Sequence, residues 1–245
     1  MSNLGALVVH GLFEHEGRHK DNVEWLKNLG IETYSFNLPG HGDIDEKGHI
    51  ETWDENIEAI VDAYSKISNK DRKIIFAHSY GSLVTVSAIL REKINPDYLI
   101  LSAPHFDDNY PKIVKNMSGA VTKVFPKLRA PSSVTKKNLS TDKETVENYF
   151  NDPLVFRSLT FKFGNEITTE QKFVNENIEK LKIPTLVLHG DQDKVVPIKA
   201  SESISKLENV KFIIVENSKH EILNQDTRTF VLSEIYQWLK KKNII

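Results

Sequence analysis

The sequence predicts an α/β fold with a mainly parallel sheet of about six strands flanked by helices. Six short runs of apolar, β-forming residues recur along the chain, at 4–9, 32–36, 73–78, 97–101, 184–189 and 210–215. Between most of these runs apolar residues recur at helical spacing, and alternation of strands with helices is typical of parallel sheets. The stretch 105–180 interrupts this alternation and shows helical spacing only. We therefore expect one α/β core with a helical insertion.

Length, charge and cysteine content limit the function classes. A chain of 245 residues with 39% hydrophobic residues can bury a large core. The formal charge of −2 favours neither nucleic acid nor an anionic membrane as a partner. The chain has no cysteine, which excludes disulfides and thiolate metal sites, and we expect no metal and no cofactor. No apolar run nears the roughly 18 residues of a membrane helix, so we expect a soluble, cytoplasmic protein without an integral membrane segment.

Capping residues predict where several helices begin and end. Thr52 is expected to cap a helix that runs through Ile67. The pair Thr141 and Glu144 has the spacing of a capping box, which predicts a helix start within the insertion. A C-terminal helix is expected over about 222–242, with three lysines near its negative end.

The stretch 73–91 carries the strongest functional pattern. A buried strand ends at Ala77-His78, and a helix follows Ser79, so this serine lies on a sharp turn from strand to helix. Ala77 and Gly81 are both small, as a close approach of strand and helix requires. A serine with small neighbours is also found as a plain helix N-cap, so this pattern alone leaves both interpretations open.

The pentapeptide Ala77-His78-Ser79-Tyr80-Gly81 resembles the nucleophile elbow G-x-S-x-G of the α/β-hydrolase family. Alanine replaces the first glycine, as in a variant known among bacterial lipases of this fold. The resemblance implies that Ser79 is the nucleophile. It also implies that the backbone N–H of Tyr80 forms half of an oxyanion hole.

The loop after the first strand carries a second resemblance. Its sequence HGLFEHEGRH, residues 10–19, is similar to the H-G-x-x-E-H-x-x-R-Y loop of the monoacylglycerol lipase and lysophospholipase branch. The resemblance implies that the backbone N–H of Leu12 is the other half of the oxyanion hole. A polar turn after a strand is the alternative. The turn Pro39-Gly40-His41-Gly42 resembles one found in many members and supports the fold rather than a chemistry.

A serine nucleophile needs an imidazole base and a carboxylate, which in this fold follow in the order serine, acid, histidine. Among nine histidines, only His220 lies beyond the loop after the fifth strand, so it is the predicted base. That loop, HGDQDKVVP, resembles H-G-x-x-D-x-x-V-P, which assigns the acid to Asp193 with Asp191 as the alternative. Each aspartate could instead cap the following helix, and His220 could be a solvated turn residue.

The domain prediction places the α/β core at residues 1–104 and 181–245 and a helical cap at 105–180. The cap leaves and re-enters the core at the sheet end that carries Ser79, so we expect it to cover the site. Its apolar residues recur at helical spacing, among them Ile113, Met117, Val121, Val124, Phe125, Tyr149 and Phe150. A purely structural helical layer is the alternative.

Together these resemblances imply a serine carboxylester hydrolase. It would act on single-chain lipid esters of the monoacylglycerol or lysophospholipid type through an acyl-enzyme at Ser79. The partner would be a small-molecule ester, with at most transient contact between the cap and a lipid surface. A short-chain carboxylesterase or thioesterase would use the same triad and is the alternative hypothesis. A ligand-binding protein without catalytic activity is a third hypothesis. Other histidines are expected to be structural or to lie at the pocket rim, namely His41, His49, His78, His105 and His189.

Overall fold

The computed structural model of the chain describes residues 3–108, 121–224 and 226–245. The main sheet has six parallel strands, which are β1 Leu4–Val9, β2 Glu32–Phe36, β3 Arg72–His78, β4 Tyr98–Ser102, β7 Thr185–Gly190 and β8 Val210–Val215. Their order across the sheet is β2-β1-β3-β4-β7-β8. The predicted fold class and all six predicted strands are confirmed, each to within one residue at either end.

Helices cover both faces of this sheet. They are α1 Lys20–Asn28, α2 Asp54–Ser65, α3 Tyr80–Leu90, α5 Phe161–Asn177, α6 Glu202–Ser205 and α7 Arg228–Lys241. The helix α4 Lys143–Asn151 lies in the insertion and packs through Tyr149 with Leu139 and Val155. Alternate side chains of one strand enter different cores, as Leu7 packs with α2, α3 and α5 while Val8 packs with α1 and α7. A strand buried on both faces reads as a continuous apolar run, which is why the sequence revealed it.

The insertion differs from its helical prediction in two segments, β5 Arg129–Pro131 and β6 Ser158–Thr160, which are strands. They form a small antiparallel sheet, so the expectation of helices alone was wrong. Strands of three residues are too short to show alternation in the sequence. The helix α5 also packs in the main core through Phe163, Ile167 and Val174.

Three helix starts differ from the prediction. The helix α2 begins at Asp54 with Trp53 rather than Thr52 as its N-cap residue, and the Glu55 carboxylate accepts hydrogen bonds from the backbone N–H groups of Glu51 and Thr52. The N-cap of α4 is Asp142, which accepts from the backbone N–H of Thr145 at 2.7 Å. The helix α7 starts at Arg228, about six residues later than expected.

Part of the predicted cap, including Ile113 and Met117, lies outside the described residues. Within the described part of the chain, no helix combines the length and apolar character needed to cross a membrane.

Candidate active site

Ser79 stands between β3 and α3 in a backbone conformation that few side chains adopt. Its φ is 50° and its ψ is −116°, in a region that costs free energy for a residue with a Cβ. Gly81 lets α3 approach β1 here, because a Cβ at this position would lie 2.4 Å from the carbonyl oxygen of His10. The replacement of the elbow's first glycine by Ala77 leaves this close approach intact. The strained turn holds the serine at the carboxyl end of the sheet.

Three predicted site residues meet at this end of the sheet. The Oγ of Ser79 lies 3.0 Å from the Nε2 of His220, and the Nδ1 of His220 lies 2.7 Å from the Oδ2 of Asp193. All three residues are buried, at 5%, 5% and 7% relative exposure. These atoms are close enough to pass a proton from the hydroxyl to the imidazole while the carboxylate holds the ring.

Asp191, the alternative acid, faces elsewhere. It is exposed, and its Oδ1 accepts a hydrogen bond from the backbone N–H of Ser218 at 3.0 Å. The Oδ1 of Asp193 instead accepts from the N–H groups of Val195 and Val196, both at 2.9 Å. Asp193 is therefore held in its loop with its second oxygen turned toward His220.

The electrostatics of this pair favour a charged carboxylate beside a basic imidazole. Burial opposes ionisation of Asp193, but the charge of His220 and hydrogen bonds from His189 and His220 outweigh it, so the pKa of Asp193 lies well below its usual range. Burial alone would lower the pKa of His220, but the Asp193 carboxylate and its hydrogen bond raise it above the ordinary 6.5.

The loop after β1 lies directly against the serine. A Cβ at Gly11 would lie 3.3 Å from the Cβ of Ser79, and the N–H of Gly11 donates to the Glu14 carboxylate at 2.6 Å. The N–H of Leu38 donates to the Nε2 of His10 at 2.9 Å, which fixes the start of the loop. Leu12 follows on this loop and lines the cavity beside Ser79. Tyr80 is the first residue of α3, so its N–H lies at a helix N-terminus beside Ser79.

Sequence reasoning missed a buried ion cluster next to His220. Glu14 and Glu221 are both buried, and Arg18 lies between them with its nitrogens 3.0 Å and 3.2 Å from their carboxylates. The Nε2 of His19 lies 2.9 Å from Glu14. Burial opposes ionisation of Glu14, but His19, His78 and Arg18 hold its pKa well below the usual range. Glu14 and Arg18 belong to the loop motif of residues 10–19, but no sequence pattern pairs Arg18 with Glu221.

The other histidines occupy supporting positions. The ring of His41 stacks on that of Tyr80 at 5.9 Å, and burial lowers the pKa of His41 to about 4. The ring of His78 lies 4.9 Å from that of His220, and burial together with the charge of His220 lowers its pKa to about 4. His49 lies 3.0 Å from the Thr160 hydroxyl, His105 lines the cavity, and His189 packs behind Asp193.

A cavity of about 450 Å³ contains Ser79 and His220 in its wall. Its size is within the range of small-molecule sites. Most of the wall is apolar, with side chains from the loop after β1 and from the insertion, including Leu12, Val134, Leu139, Leu159, Phe161 and Ile167. The polar side chains of the wall include Glu14, His78 and Glu221, besides Asp108, Ser133, Thr168 and Lys194.

A parallel sheet of this topology, with a serine on a strained turn and a histidine and aspartate on later loops, defines an α/β-hydrolase. A model of the Hydrolase_4 family, described as serine aminopeptidase, S33, matches residues 5–227. The chain belongs to this family and is a serine hydrolase.

Curated relatives and a solved structure are similar to this chain. The chain is 26% identical to phospholipase YtpA of Bacillus subtilis over 91% of its length and 89% of the relative's. It is 26% identical to a monoacylglycerol lipase of Mycolicibacterium smegmatis, covering 96% and 87% of the two chains. The chain spans only 26% of the length of one matching protein, an abhydrolase domain-containing protein of Dictyostelium discoideum. The crystal structure of Paleococcus ferrophilus monoacylglycerol lipase superposes with a TM-score of 0.87 at 24% identity, covering 96% and 93%.

Proposed function

We propose that this protein hydrolyses esters of single-chain lipids, of the monoacylglycerol or lysophospholipid type, with Ser79 as nucleophile. One observation carries the proposal: the Ser79 hydroxyl lies 3.0 Å from the His220 imidazole in the wall of a largely apolar cavity. The names of the Bacillus and Mycolicibacterium relatives add support for the substrate class.

In the proposed reaction, His220 takes the proton of Ser79 as its Oγ attacks the ester carbonyl carbon. Asp193 orients the imidazole and stabilises its charged form. The N–H groups of Leu12 and Tyr80 would hold the developing oxyanion, and loss of one such donor typically costs about 3–4 kcal/mol of transition-state stabilisation. The protonated His220 then gives its proton to the leaving alcohol. Water, activated by His220 in turn, releases the fatty acid from Ser79.

In this proposal the insertion binds the acyl chain of the substrate. Val134, Leu139, Leu159 and Ile167 form an apolar wall that could bury an alkyl chain at about 0.8 kcal/mol for each CH₂. We keep the division into a core at 1–104 and 181–245 and a cap at 105–180 as part of this proposal. The packing of α5 in the main core supports treating 161–177 as the base of the cap.

The test compares substrates with the wild-type chain and Ser79→Ala. We expect rising kcat/KM from acetyl to long-chain 4-nitrophenyl esters, turnover of monoacylglycerols or lysophospholipids, and labelling of Ser79 by a fluorophosphonate probe. Ser79→Ala should lose all three. A preference for acetyl esters or thioesters would replace the lipid substrate, and absence of labelling would indicate a ligand-binding protein.

A further inference from the structure

His189 is a fully buried imidazole behind the Asp193 carboxylate, and the proposed reaction gives it no role. It lies near the end of β7 with 0% relative exposure. Its Nε2 is 3.0 Å from the carbonyl oxygen of Val196 and 3.2 Å from the Oδ2 of Asp193. Its Nδ1 is 2.8 Å from the Oγ of Ser201. Both ring nitrogens therefore have partners.

The partners of His189 decide where its proton lies. A carbonyl and an ionised carboxylate only accept hydrogen bonds, so the Nε2 that faces them carries the proton. This N–H donates to Val196, with the Oδ2 of Asp193 beside it. The hydroxyl of Ser201 can then donate to the Nδ1, so that both ring nitrogens have a hydrogen-bond partner in this one ring orientation.

The hydrogen bond from the His189 Nε2–H to the Val196 carbonyl ties β7 to the loop that carries Asp193. The Oδ1 of Asp193 accepts from the backbone of Val195 and Val196, and His189 holds the carbonyl of the same Val196. Strand end, loop and carboxylate are thereby joined in one hydrogen-bonded ring. The Oδ2 of Asp193 is left with two imidazoles beside it, those of His220 at 2.7 Å and His189 at 3.2 Å.

We propose that His189 is a positioning residue, which fixes the loop of Asp193 and shares the charge of its Oδ2 with His220. The inference rests on the proposed function of Ser79, His220 and Asp193. An N–H beside Oδ2 withdraws part of the negative charge that the carboxylate would otherwise direct at His220 alone. Without it, His220 should become more basic and less well oriented.

The other charged and titratable groups around Asp193 and His220 are unchanged when only His189 is substituted. His78, Glu221 and Glu14 act on His220 together with Asp193, and His189 and His220 act on Asp193. Lys194 and Lys219 flank the two residues in the sequence. A substitution confined to His189 therefore changes the field at His220 through Asp193.

A matched pair of variants tests the proposal, because glutamine and methionine have nearly the same shape and only glutamine can donate to Val196 and Asp193. The pKa of His220 is read by NMR in the protein without substrate, and kcat/KM for a 4-nitrophenyl ester is measured against pH. His189→Met should raise the pKa of His220 by roughly half to one pH unit and lower kcat/KM at neutral pH about tenfold. His189→Gln should retain most of both properties.

Equal losses in both variants with an unchanged His220 pKa would overturn the proposal and leave His189 a packing residue. Wild-type behaviour of His189→Met would overturn it as well. If His189→Met does not fold, Ser201→Ala decides, because it frees the ring without touching Asp193. It should raise the His220 pKa by less in the same direction, and no change would refute the positioning role. The NMR reading needs no substrate, so a failure to hydrolyse lipid esters would refute only the proposed function.

Discussion

Asp193 and Asp191 lie two residues apart on one loop, yet their carboxylates meet different partners. The Oδ2 of Asp193 faces His220, whereas Asp191 holds the backbone of Ser218. Asp193→Asn should lower kcat about 10⁴-fold, because an amide no longer holds His220 in the reactive tautomer. Asp191→Asn should stay within a few-fold of wild type. Turnover of a 4-nitrophenyl ester by both folded variants measures the difference, and the reverse ranking would move the acid role to Asp191.

The pH dependence follows from the raised pKa of His220. The base must be neutral to accept the serine proton, so kcat/KM should fall as the pH falls through this pKa, which lies above 6.5. Above it the rate should level off. Removing the Asp193 charge favours the neutral ring, so Asp193→Asn should move the residual activity's inflection to lower pH. A pH–rate profile from about pH 5 to 9 measures both, and an inflection that moved upward would contradict this account.

Chain order and local motifs predict Ser79, Asp193 and His220 as site residues, because each lies shortly after a predicted strand. Nothing in the sequence indicates that Arg18 meets Glu221, since 203 positions separate them and only the folded sheet brings their loops together. The tautomer of His189 is equally invisible, because it depends on Val196, Asp193 and Ser201 at once. Pairings of this kind are decided by tertiary structure.

At the scale of elements, Arg18 joins the loop after β1 to the turn before α7. Its guanidinium lies between the buried carboxylates of Glu14 and Glu221. Arg18→Met would leave these two charges without their shared cation, which typically costs about 3–5 kcal/mol. The free energy of unfolding in urea measures this loss. The exposed Lys20→Met is the control and should change stability by less than about 0.5 kcal/mol. A similar small change for Arg18→Met would contradict a structural role of the cluster.

Parts of the insertion contact the loops of the active site. The His15 imidazole lies 2.9 Å from the Asp152 carboxylate, and the N–H of Phe156 donates to the carbonyl of Phe13 at 3.1 Å. On the other side, the N–H of Glu221 donates to the carbonyl of Leu139 at 3.1 Å. These contacts hold the loop of Leu12 and the turn of His220, so this part of the insertion should influence the chemical step.

Asp152→Ala tests this influence. Loss of one partly buried hydrogen bond of about 1 kcal/mol should lower kcat about fivefold for acetyl and long-chain esters alike. The exposed Asp43→Ala serves as the control for loss of a surface carboxylate. A selective effect on long chains would instead assign Asp152 to substrate binding.

Across the whole molecule, predictability follows burial only in part. The four central strands β1, β3, β4 and β7 are largely buried and read as apolar runs, so their positions are apparent from the sequence. The edge strands β2 and β8 are partly exposed and were predicted from their β-forming residues. The small sheet of β5 and β6 is partly exposed and was missed, with Arg129 and Pro131 open to solvent. The N-cap residue of α4 is Asp142 instead of the predicted Thr141, so the sequence located this helix start only to within one residue.

The apolar wall contributed by the insertion leads to the last prediction. Leu159 is half-buried in β6 and lines the cavity, so Leu159→Trp should shorten the space for an acyl chain. Each CH₂ that loses its site costs about 0.8 kcal/mol, or about fourfold in kcat/KM. Long-chain esters should therefore lose tenfold or more, while an acetyl ester changes little. Val61→Trp, on the outer face of α2 and 37% exposed, adds the same ring away from the cavity and should leave both substrates unaffected. Equal losses on both esters in Leu159→Trp would show that this wall supports the triad or the fold rather than selecting the chain length.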